Sequence, residues 1–177
     1  MTTYLQSQLS TVKEVGQIRV LLERIGIQVN CVARAPRECV WTKPKEGMVK
    51  LNTDGALSDT RGGGGGAIRD HKGDVLLAFM TAGGMKSIMF QELKAIYMGL
   101  QGCLFIYQMR VLVAYDSLMA IKVFQRQEKP PWYCAEIAAA ILEMVRRFNQ
   151  VVFTHVFREA NRTADHLVFL ATDRRCN

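Results

Sequence analysis

The order in which strand-like and helix-like segments follow one another is the feature that most constrains the fold. Between residues 49 and 83, three segments resemble strands, and the second and third are joined by the turn signal Asp-His-Lys-Gly at residues 70–73. From residue 87 onward, helical and strand patterns alternate. The predicted order is β-β-β-α-β-α-α-β-α, which indicates an antiparallel hairpin continued by β-α-β units.

That order predicts an α/β fold with a five-stranded mixed sheet, in which three antiparallel strands are followed by parallel strands, and with helices on both faces. Because the connection from the first strand to the fourth is long, we expect these two strands to be neighbours. Ser87 is predicted to cap a helix that reaches about Phe105, and Asn161 a last helix that reaches about Thr172. The glycines at 62–66 lack the Gly-Lys-Ser/Thr of a phosphate loop, so we interpret them as a flexible loop entering a strand.

The N-terminal segment differs from the rest of the chain. Apolar residues recur at three-to-four spacing over residues 3–28, and Pro36 and Pro44 follow. This pattern predicts an N-terminal amphipathic helix and linker over residues 1–40 and a single domain over residues 41–177. The predicted helix could contact a protein partner.

Composition limits the class of protein. With 177 residues, 49% of them hydrophobic and 22% charged, the chain can bury one globular core. The longest nearly apolar run, residues 95–109, is shorter than the roughly 20 residues that span a bilayer. With no visible secretory signal and five cysteines outside metal-binding spacing, we expect an intracellular protein with no membrane partner. The net charge of +7 favours a polyanionic partner.

Two aspartates follow strand patterns and two further acids lie in the first turns of predicted helices. Asp54 is predicted to end the first strand and Asp116 the fourth, and parallel neighbours would bring these two carboxylates together. Glu92 shares a helix stripe with apolar residues, and Asp165 lies one turn into the last helix. Strand alternation explains Asp54 alone, and the helix dipole explains Glu92 or Asp165 alone.

Taken together, the four acids suggest a cation site. Hard oxygen ligands at four element ends suit one or two Mg²⁺ or Mn²⁺ ions, with waters and a substrate phosphate completing the shell. Two such ions can activate a water and stabilise the leaving oxygen in phosphodiester hydrolysis. In this interpretation Asp54 is a ligand, and Gly55 leaves space beside it for the substrate backbone.

Six stretches between Trp41 and Thr172 resemble, in the same order, the ribonuclease H domain of type 1, and most closely its plant stand-alone or retroelement-derived branch. The six stretches are WTKPKEGMVKLNTDGA, GGAIRDHKGDV, QELKAIYMGL, VAYDS, PPW and HVFREANRTADHL. The resemblance implies an enzyme that cuts the RNA strand of RNA–DNA hybrids with two Mg²⁺ or Mn²⁺ ions bound together with the substrate.

The resemblance also assigns roles to residues of this chain. It implies that four acids hold the metal ions and act in catalysis, namely Asp54, Glu92, Asp116 and Asp165. It implies that His155 assists proton transfer and product release, although alternation with Val151 and Phe153 equally fits a histidine at a sheet edge. The residues assigned to substrate binding are Gly55, Asn161 and Arg158.

The chain departs from the family pattern at several places, and three functions stay open. Gln91 stands where a small apolar residue is common, Phe157 where the plant branch has proline, and only RQEKPPWYC replaces the basic protrusion that some members carry. The first function is a hybrid-cutting nuclease. The second is a catalytically weak or inactive nucleic-acid-binding module. The third is a protein-interaction fragment that uses the N-terminal helix and Trp132 or Tyr133.

Overall fold

The computed structural model describes residues 11–13, 24, 30–32 and 38–172, and the chain divides into two compact units, residues 1–38 and residues 39–177. In the first unit, strand β1 (Thr11–Lys13) pairs in parallel with strand β2 (Asn30–Val32). The predicted helix over residues 3–28 is therefore wrong at residues 11–13, where Thr and Val are β-branched and favour strands. Arg24 is helical, and the remainder of that predicted helix lies outside the described residues. The predicted domain boundary at residue 40 stays a prediction.

The described part of the second unit follows the predicted order of elements. Its strands and helices are β3 (Val49–Leu57), β4 (Gly62–Arg69), β5 (Val75–Gly83), α1 (Ile88–Phe105), β6 (Arg110–Tyr115), α2 (Leu118–Phe124), α3 (Ala135–Val145), β7 (Gln150–His155) and α4 (Arg162–Thr172). Single turns of 3-10 helix precede α3 and α4, at Trp132–Cys134 and Arg158–Ala160.

The five strands β3 to β7 form one mixed sheet in the spatial order β5-β4-β3-β6-β7. Strand β4 is antiparallel to both β3 and β5, whereas β6 is parallel to both β3 and β7. The predicted α/β fold with a five-stranded mixed sheet is confirmed. The predicted contact between the first and fourth strands of this domain is also confirmed, because β3 and β6 pair from Val49↔Val111 to Asn52↔Ala114.

The glycine run is a strand and not the flexible loop that we expected. Residues 62–66 belong to β4, are buried and pair with a strand on either side. The reason is close helix packing on both faces of the sheet. A Cβ at Gly64 would lie 2.9 Å from the Cβ of Ala95 in α1, and a Cβ at Gly65 would lie 2.9 Å from the Cβ of Leu167 in α4. Because successive strand residues point to opposite faces, α1 and α4 cover opposite sides of the sheet.

Helix α1 is the main helix of the core. Ser87 caps it, since its hydroxyl accepts a hydrogen bond from the Phe90 amide at 3.2 Å, as predicted. Its predicted apolar stripe is buried against β3 and β4, and α3 packs on its other side. The stripe consists of Met89, Leu93, Ile96, Leu100 and Cys103. Within residues 38–172, no helix combines the length and the apolar character that a bilayer crossing requires.

Candidate active site

Asp54 lies at the point where β3 loses its parallel neighbour. The strand does not end at Asp54 as predicted but continues to Leu57, paired with β4 alone. Pairing with β6 stops at Asn52↔Ala114, and β6 itself ends at Tyr115. Asp116 therefore follows the end of β6 directly beside the open edge of β3. The expectation that the two strand ends bring these aspartates together agrees with this register.

Glu92 reaches the same place because α1 packs tightly onto β3. A Cβ at Gly55 would collide with the α1 backbone at Gln91 and Glu92, so only glycine allows this approach. The expectation that Gly55 leaves room for the substrate backbone is wrong, because the α1 backbone fills that space. Gly55 instead positions Glu92, and its amide donates a hydrogen bond to Asp54 Oδ1 at 2.8 Å.

The pKa of Asp54 shows that the other three acids lie near it. Burial, the largest cause, and the nearby carboxylate of Asp116 raise the pKa of Asp54 to about 7. Asp165 and Glu92 add smaller upward contributions, whereas the hydrogen bond from Gly55 lowers the pKa. Each of the other three predicted acids is thus close enough to repel Asp54, which has only 9% of its surface exposed.

Glu92 and Asp116 are affected in the same direction. Burial raises the pKa of Glu92, a hydrogen bond from the Tyr115 hydroxyl lowers it, and the charge of Asp116 raises it. That hydroxyl is fully buried and close to Glu92, and it makes no fully formed hydrogen bond within the described residues. Burial also raises the pKa of Asp116, against the opposing charges of Arg158 and His155.

Asp165 is held by a cation of the protein itself. Arg158 Nη2 donates to Asp165 Oδ1 at 2.7 Å, in an ion pair whose two side chains are 74% and 43% exposed. This hydrogen bond raises the pKa of Arg158, and the charges of Asp54 and Asp116 raise it further. Arg158, which we assigned to substrate binding, therefore lies beside the acidic cluster and is engaged with one of its members.

His155 lies next to Asp116. It is the last residue of β7 and is half-buried, and its Nε2 lies 3.1 Å from the carbonyl oxygen of Asp116. The ring of Phe157 packs edge-on against it, with ring centroids 5.7 Å apart. His155 is therefore both a histidine at a sheet edge and a neighbour of the acidic cluster, so both sequence interpretations describe its position.

Asn161 does not contact the substrate side of the site. Its side-chain Nδ2 donates to the carbonyl oxygen of Thr53 at 2.9 Å, and its Oδ1 accepts from Asn52 Nδ2 at 3.0 Å. With 1% of its surface exposed, it cannot act as the substrate-binding residue that we assigned. Asn161 is the residue before α4, as predicted, and its carbonyl oxygen accepts from the Ala164 and Asp165 amides at 3.0 and 3.2 Å, while its side chain bonds to β3. Asn161 thereby ties the start of α4 to β3, which places Asp165 near Asp54.

Sequence reasoning missed three residues that support the acids, namely Asn52, Tyr115 and Trp41. Asn52 accepts a hydrogen bond from the Trp41 indole at 2.9 Å and donates one to Asn161. Tyr115 is fully buried beside Glu92. A signal for Asn52 was present, since it is a polar residue two positions before Asp54 and on the same strand face.

The donor set suits a divalent cation, although the side chains do not form a cage for one. Several half-buried carboxylates with mutually raised pKa values are stabilised by a positive ion placed between them. Within the described residues, however, no three His, Cys, Asp or Glu side chains are arranged to hold a metal ion. The chemistry of the site therefore fits the ions, and the four carboxylates would have to move to bind one together.

Comparison with known proteins agrees with this fold. The family model described as "Reverse transcriptase-like" matches residues 52–171. No curated protein is significantly similar in sequence. The crystal structure of ribonuclease H1 from the halophilic archaeon Halobacterium salinarum is similar with a TM-score of 0.67 at 19% identity, over 70% of this chain and 96% of that chain.

Two other solved structures are also similar. The N-terminal ribonuclease H domain of a Mycobacterium tuberculosis protein has a TM-score of 0.68 at 19% identity, over 71% of this chain and 94% of that chain. LC11-RNase H1, isolated from compost by a metagenomic approach, was crystallised in complex with an RNA/DNA hybrid. It has a TM-score of 0.68 at 26% identity, over 73% of this chain and 99% of that chain. This chain has the ribonuclease H fold and belongs to the reverse transcriptase-like family.

Proposed function

We propose that the protein is a metal-dependent endonuclease that hydrolyses the RNA strand of RNA–DNA hybrids. The observation that carries this proposal is the convergence of the four acids, since burial and the charges of Asp116, Asp165 and Glu92 together raise the pKa of Asp54 to about 7. Burying like charges opposes folding unless a ligand uses them. A similar chain, LC11-RNase H1, was crystallised with an RNA/DNA hybrid, which supports the substrate class.

In this proposal each side chain has a defined task. Asp54, Glu92, Asp116 and Asp165 would hold two Mg²⁺ or Mn²⁺ ions together with the substrate phosphate. When bound, the ions supply an activated water and stabilisation of the leaving oxygen. Release of Asp165 from Arg158 would free a carboxylate for the cation and a guanidinium for the substrate phosphate. His155, turned away from the Asp116 carbonyl, would take or give a proton at Nε2.

A second candidate is a binding module with little turnover. Two observations favour it, namely the absence of a three-ligand arrangement within the described residues and the ion pair that occupies Asp165. The short RQEKPPWYC connection also lacks a cluster of basic residues to grip a duplex. Such a module would bind hybrid through its positive charge and the 2′-hydroxyl edge without cutting it.

The deciding experiment is a cleavage assay. Labelled RNA–DNA hybrid, duplex RNA and duplex DNA are incubated with wild-type protein and with Asp54→Asn, in Mg²⁺ or in Mn²⁺. We expect cleavage of the hybrid alone and a loss of about 1,000-fold or more in Asp54→Asn, because a ligand is removed from the centre of the charge cluster. Binding of hybrid is measured in the same samples by gel shift.

Asp59→Asn is the matched control, because Asp59 is an exposed aspartate five positions along the chain from Asp54. It makes the same chemical change outside the cluster, so hybrid cleavage should stay at the wild-type rate. Hybrid binding without cleavage in the wild type would select the binding module instead. An equal loss of cleavage in both variants would show that the effect is not specific to the cluster.

A further inference from the structure

A second concave site is lined by residues that the proposed nuclease does not use. Its volume is about 300 Å³, at the lower limit of the range of roughly 300–1,000 Å³ usual for small-ligand sites. It lies between the segment before β3, the end of β4 with the turn that follows, and the start of α4. Its lining includes Trp41, Arg69, Gly73, Glu159, Arg162 and Thr163. We call this site the basic pocket.

The basic pocket is separate from the acidic cluster. Arg69 pairs with Lys50 across the sheet, and Lys50 precedes Asp54 by four residues on β3, which corresponds to about 13 Å along the strand. The four acids of the cluster are not among the residues that line the pocket. A ligand in the basic pocket therefore occupies a place that the proposed cleavage does not require.

Arg69 is held in place from two sides. Its guanidinium carbon lies 5.4 Å from the centroid of the Trp41 ring, and its Nη2 donates to Thr163 Oγ1 at 2.8 Å. A guanidinium carries several N–H donors, and within residues 38–172 this is the one hydrogen bond that the Arg69 side chain makes. Its other donors are therefore open to a ligand, and that ligand must be an acceptor.

Thr163 and Arg162 add further donors to the pocket. A threonine hydroxyl can accept and donate at the same time, and the hydrogen bond from Arg69 uses only its acceptor side. The hydroxyl proton of Thr163 is thus available to a ligand. Arg162, the preceding residue, is exposed and contributes a second guanidinium to the lining. An oxyanion with several acceptor atoms fits these three groups.

Positive charge accumulates beside the pocket. Lys50 is buried, with its Nζ 5.0 Å from the centroid of the same Trp41 ring, and it donates to the carbonyl and hydroxyl oxygens of Thr42. Burial, and then the charge of Arg69, lower the pKa of Lys50. Two cations that contact one ring repel each other, and an anion beside them offsets that repulsion.

The acids near the pocket do not cancel this charge. Glu159 is the one carboxylate in the lining, against the guanidinium groups of Arg69 and Arg162. Asp70 follows Arg69 in the chain, and its Oδ1 accepts hydrogen bonds at 2.9 Å from three backbone amides of the turn between β4 and β5. When Lys50 and Asp70 are counted with the lining residues, three positive charges oppose two negative ones.

We propose that the basic pocket binds a phosphate group, with Arg69, Arg162 and the Thr163 hydroxyl donating to its oxygens. Guanidinium groups bind phosphate through paired hydrogen bonds, and a phosphate has enough oxygens for all three donor groups, whereas a carboxylate has too few. The Trp41 ring is already contacted by two cations, so the pocket recognises the phosphate without stacking a base. Inorganic phosphate and a phosphate of a nucleic-acid strand share this chemistry. The proposal does not rest on the proposed function.

The test measures the fluorescence of Trp41, whose ring adjoins Arg69. The chain has two tryptophans, so Trp132→Phe leaves Trp41 as the single emitter. Inorganic phosphate is titrated into this variant in EDTA, with NaCl of matched ionic strength as the reference, which separates binding from screening. We expect a saturable change in Trp41 emission with phosphate and no such change with NaCl.

Two oligonucleotides distinguish the sources of the phosphate. Oligothymidylate with a 5′-phosphate and the same strand without it are titrated in the same way. Tighter binding of the phosphorylated strand would assign the pocket to a strand end, and equal binding of both strands would assign it to backbone phosphates. Saturable binding of inorganic phosphate with neither strand bound would assign it to the free ion. Each of these results supports a phosphate site.

Variants of the lining test the individual contacts. Arg69→Gln should weaken phosphate binding about 10- to 100-fold, which is the effect of losing hydrogen bonds to a charged group. Arg69→Lys should lose less, because it keeps the charge without the paired donors. Arg162→Gln should also weaken binding, and its exposed position makes it independent of the packing on Trp41. Glu159→Gln should tighten binding about 2- to 5-fold, because it removes a surface carboxylate beside the anion.

Arg146→Gln is the matched control, because Arg146 is exposed and lies outside the lining of the pocket. It should bind phosphate like its parent. Equal affinities in Arg69→Gln, Arg162→Gln and Arg146→Gln, or a change in emission that NaCl reproduces, would overturn the proposal. Asp54→Asn should keep phosphate binding even where it has lost cleavage. Phosphate binding without hybrid cleavage in the wild type would refute the nuclease alone, and cleavage without phosphate binding would refute the basic pocket alone.

Discussion

The two halves of β3 treat their buried polar side chains in opposite ways. In the first half, Lys50 donates to the Thr42 carbonyl at 2.8 Å and to its hydroxyl at 3.2 Å, and Asn52 is hydrogen-bonded on both sides of its amide. Two positions further along, Asp54 accepts one hydrogen bond from a backbone amide and otherwise faces carboxylates.

Buried polar groups that stabilise the fold can be told apart in this way from buried groups that do not. A buried polar side chain whose hydrogen bonds are completed within the protein stabilises one conformation. A buried carboxylate surrounded by like charges destabilises it, and such sites persist where activity requires them. The first half of β3 therefore supports the position of Asp54, and in the proposed function a cation would offset the charges around Asp54.

The largest effect on stability is expected at Asn161, which joins the first half of β3 to α4. Asn161→Ala removes two buried hydrogen bonds and leaves Asn52 Nδ2 and the Thr53 carbonyl without these partners. We expect a loss of about 3 kcal/mol in the free energy of unfolding, measured by urea denaturation. Asn149→Ala, at an exposed position, should change stability by less than about 0.5 kcal/mol. A similar loss in both variants would remove the distinction between the halves.

The second half of β3, which carries Asp54, should make the protein less stable as the pH rises. The folded pKa of Asp54 is raised to about 7 from 3.8, so between these values the folded protein holds a proton that the unfolded chain releases. Stability of the metal-free protein should therefore be greatest near pH 4 and fall through pH 7. The expected fall is about 2 kcal/mol, roughly half of what 1.4 kcal/mol per pKa unit would give, because solvent screens the partly accessible cluster. Glu92 and Asp116, with raised pKa values, act in the same direction.

The control for this pH dependence is again the pair of aspartate variants. Asp54→Asn removes the proton exchange at the cluster, so its stability should fall less between pH 4 and pH 7 than that of the wild type. Asp59→Asn, exposed and outside the cluster, should retain the wild-type slope. Chemical denaturation at several pH values in EDTA gives both slopes. Identical slopes in all three proteins would show that Asp54 is not the group that titrates.

A smaller effect is expected from metal ions at neutral pH. Mg²⁺ added to the metal-free wild type should raise the free energy of unfolding by about 1 kcal/mol, since a cation that binds only the folded carboxylates stabilises them by mass action. Asp54→Asn should gain less from the same addition. Thermal melts with Mg²⁺ and with matched ionic strength of NaCl separate binding from screening. An equal gain from both salts would argue against a site for the ion.

The sequence was sufficient where the evidence was local or periodic. The order of strands and helices followed from apolar residues that recur every two positions in strands and every three to four positions in helices. Ser87 was correctly predicted as a cap from its position before an apolar stripe. The contact between β3 and β6 followed from the long connection between them. These features arise within short stretches or from chain topology, so one sequence is enough to predict them.

The errors arose where distant residues decide the structure. Five glycines occupy a strand because helices α1 and α4 pack so closely on its two faces that a Cβ would crowd Ala95 and Leu167. Local propensity does not indicate such packing. Asn161 was expected at the substrate, but its amide binds Asn52, 109 positions away along the chain. Gly55 was correctly singled out, but for the wrong reason, because the group that approaches it is the backbone of α1.

The smallest predicted effect sharpens the comparison at the start of β3. Trp41→Phe keeps an aromatic ring for Arg69 and Lys50, whose cationic groups lie 5.4 and 5.0 Å from the ring centroid, but removes the indole hydrogen bond to Asn52. We expect a loss of about 1 kcal/mol in urea denaturation. Trp132→Phe makes the same replacement at a side chain that is 87% exposed and should leave stability unchanged. If the Trp132 variant lost as much stability as the Trp41 variant, the loss at Trp41 could not be attributed to its hydrogen bond. The hydrogen bonds of Asn52 would then be weaker evidence that the first half of β3 stabilises the fold.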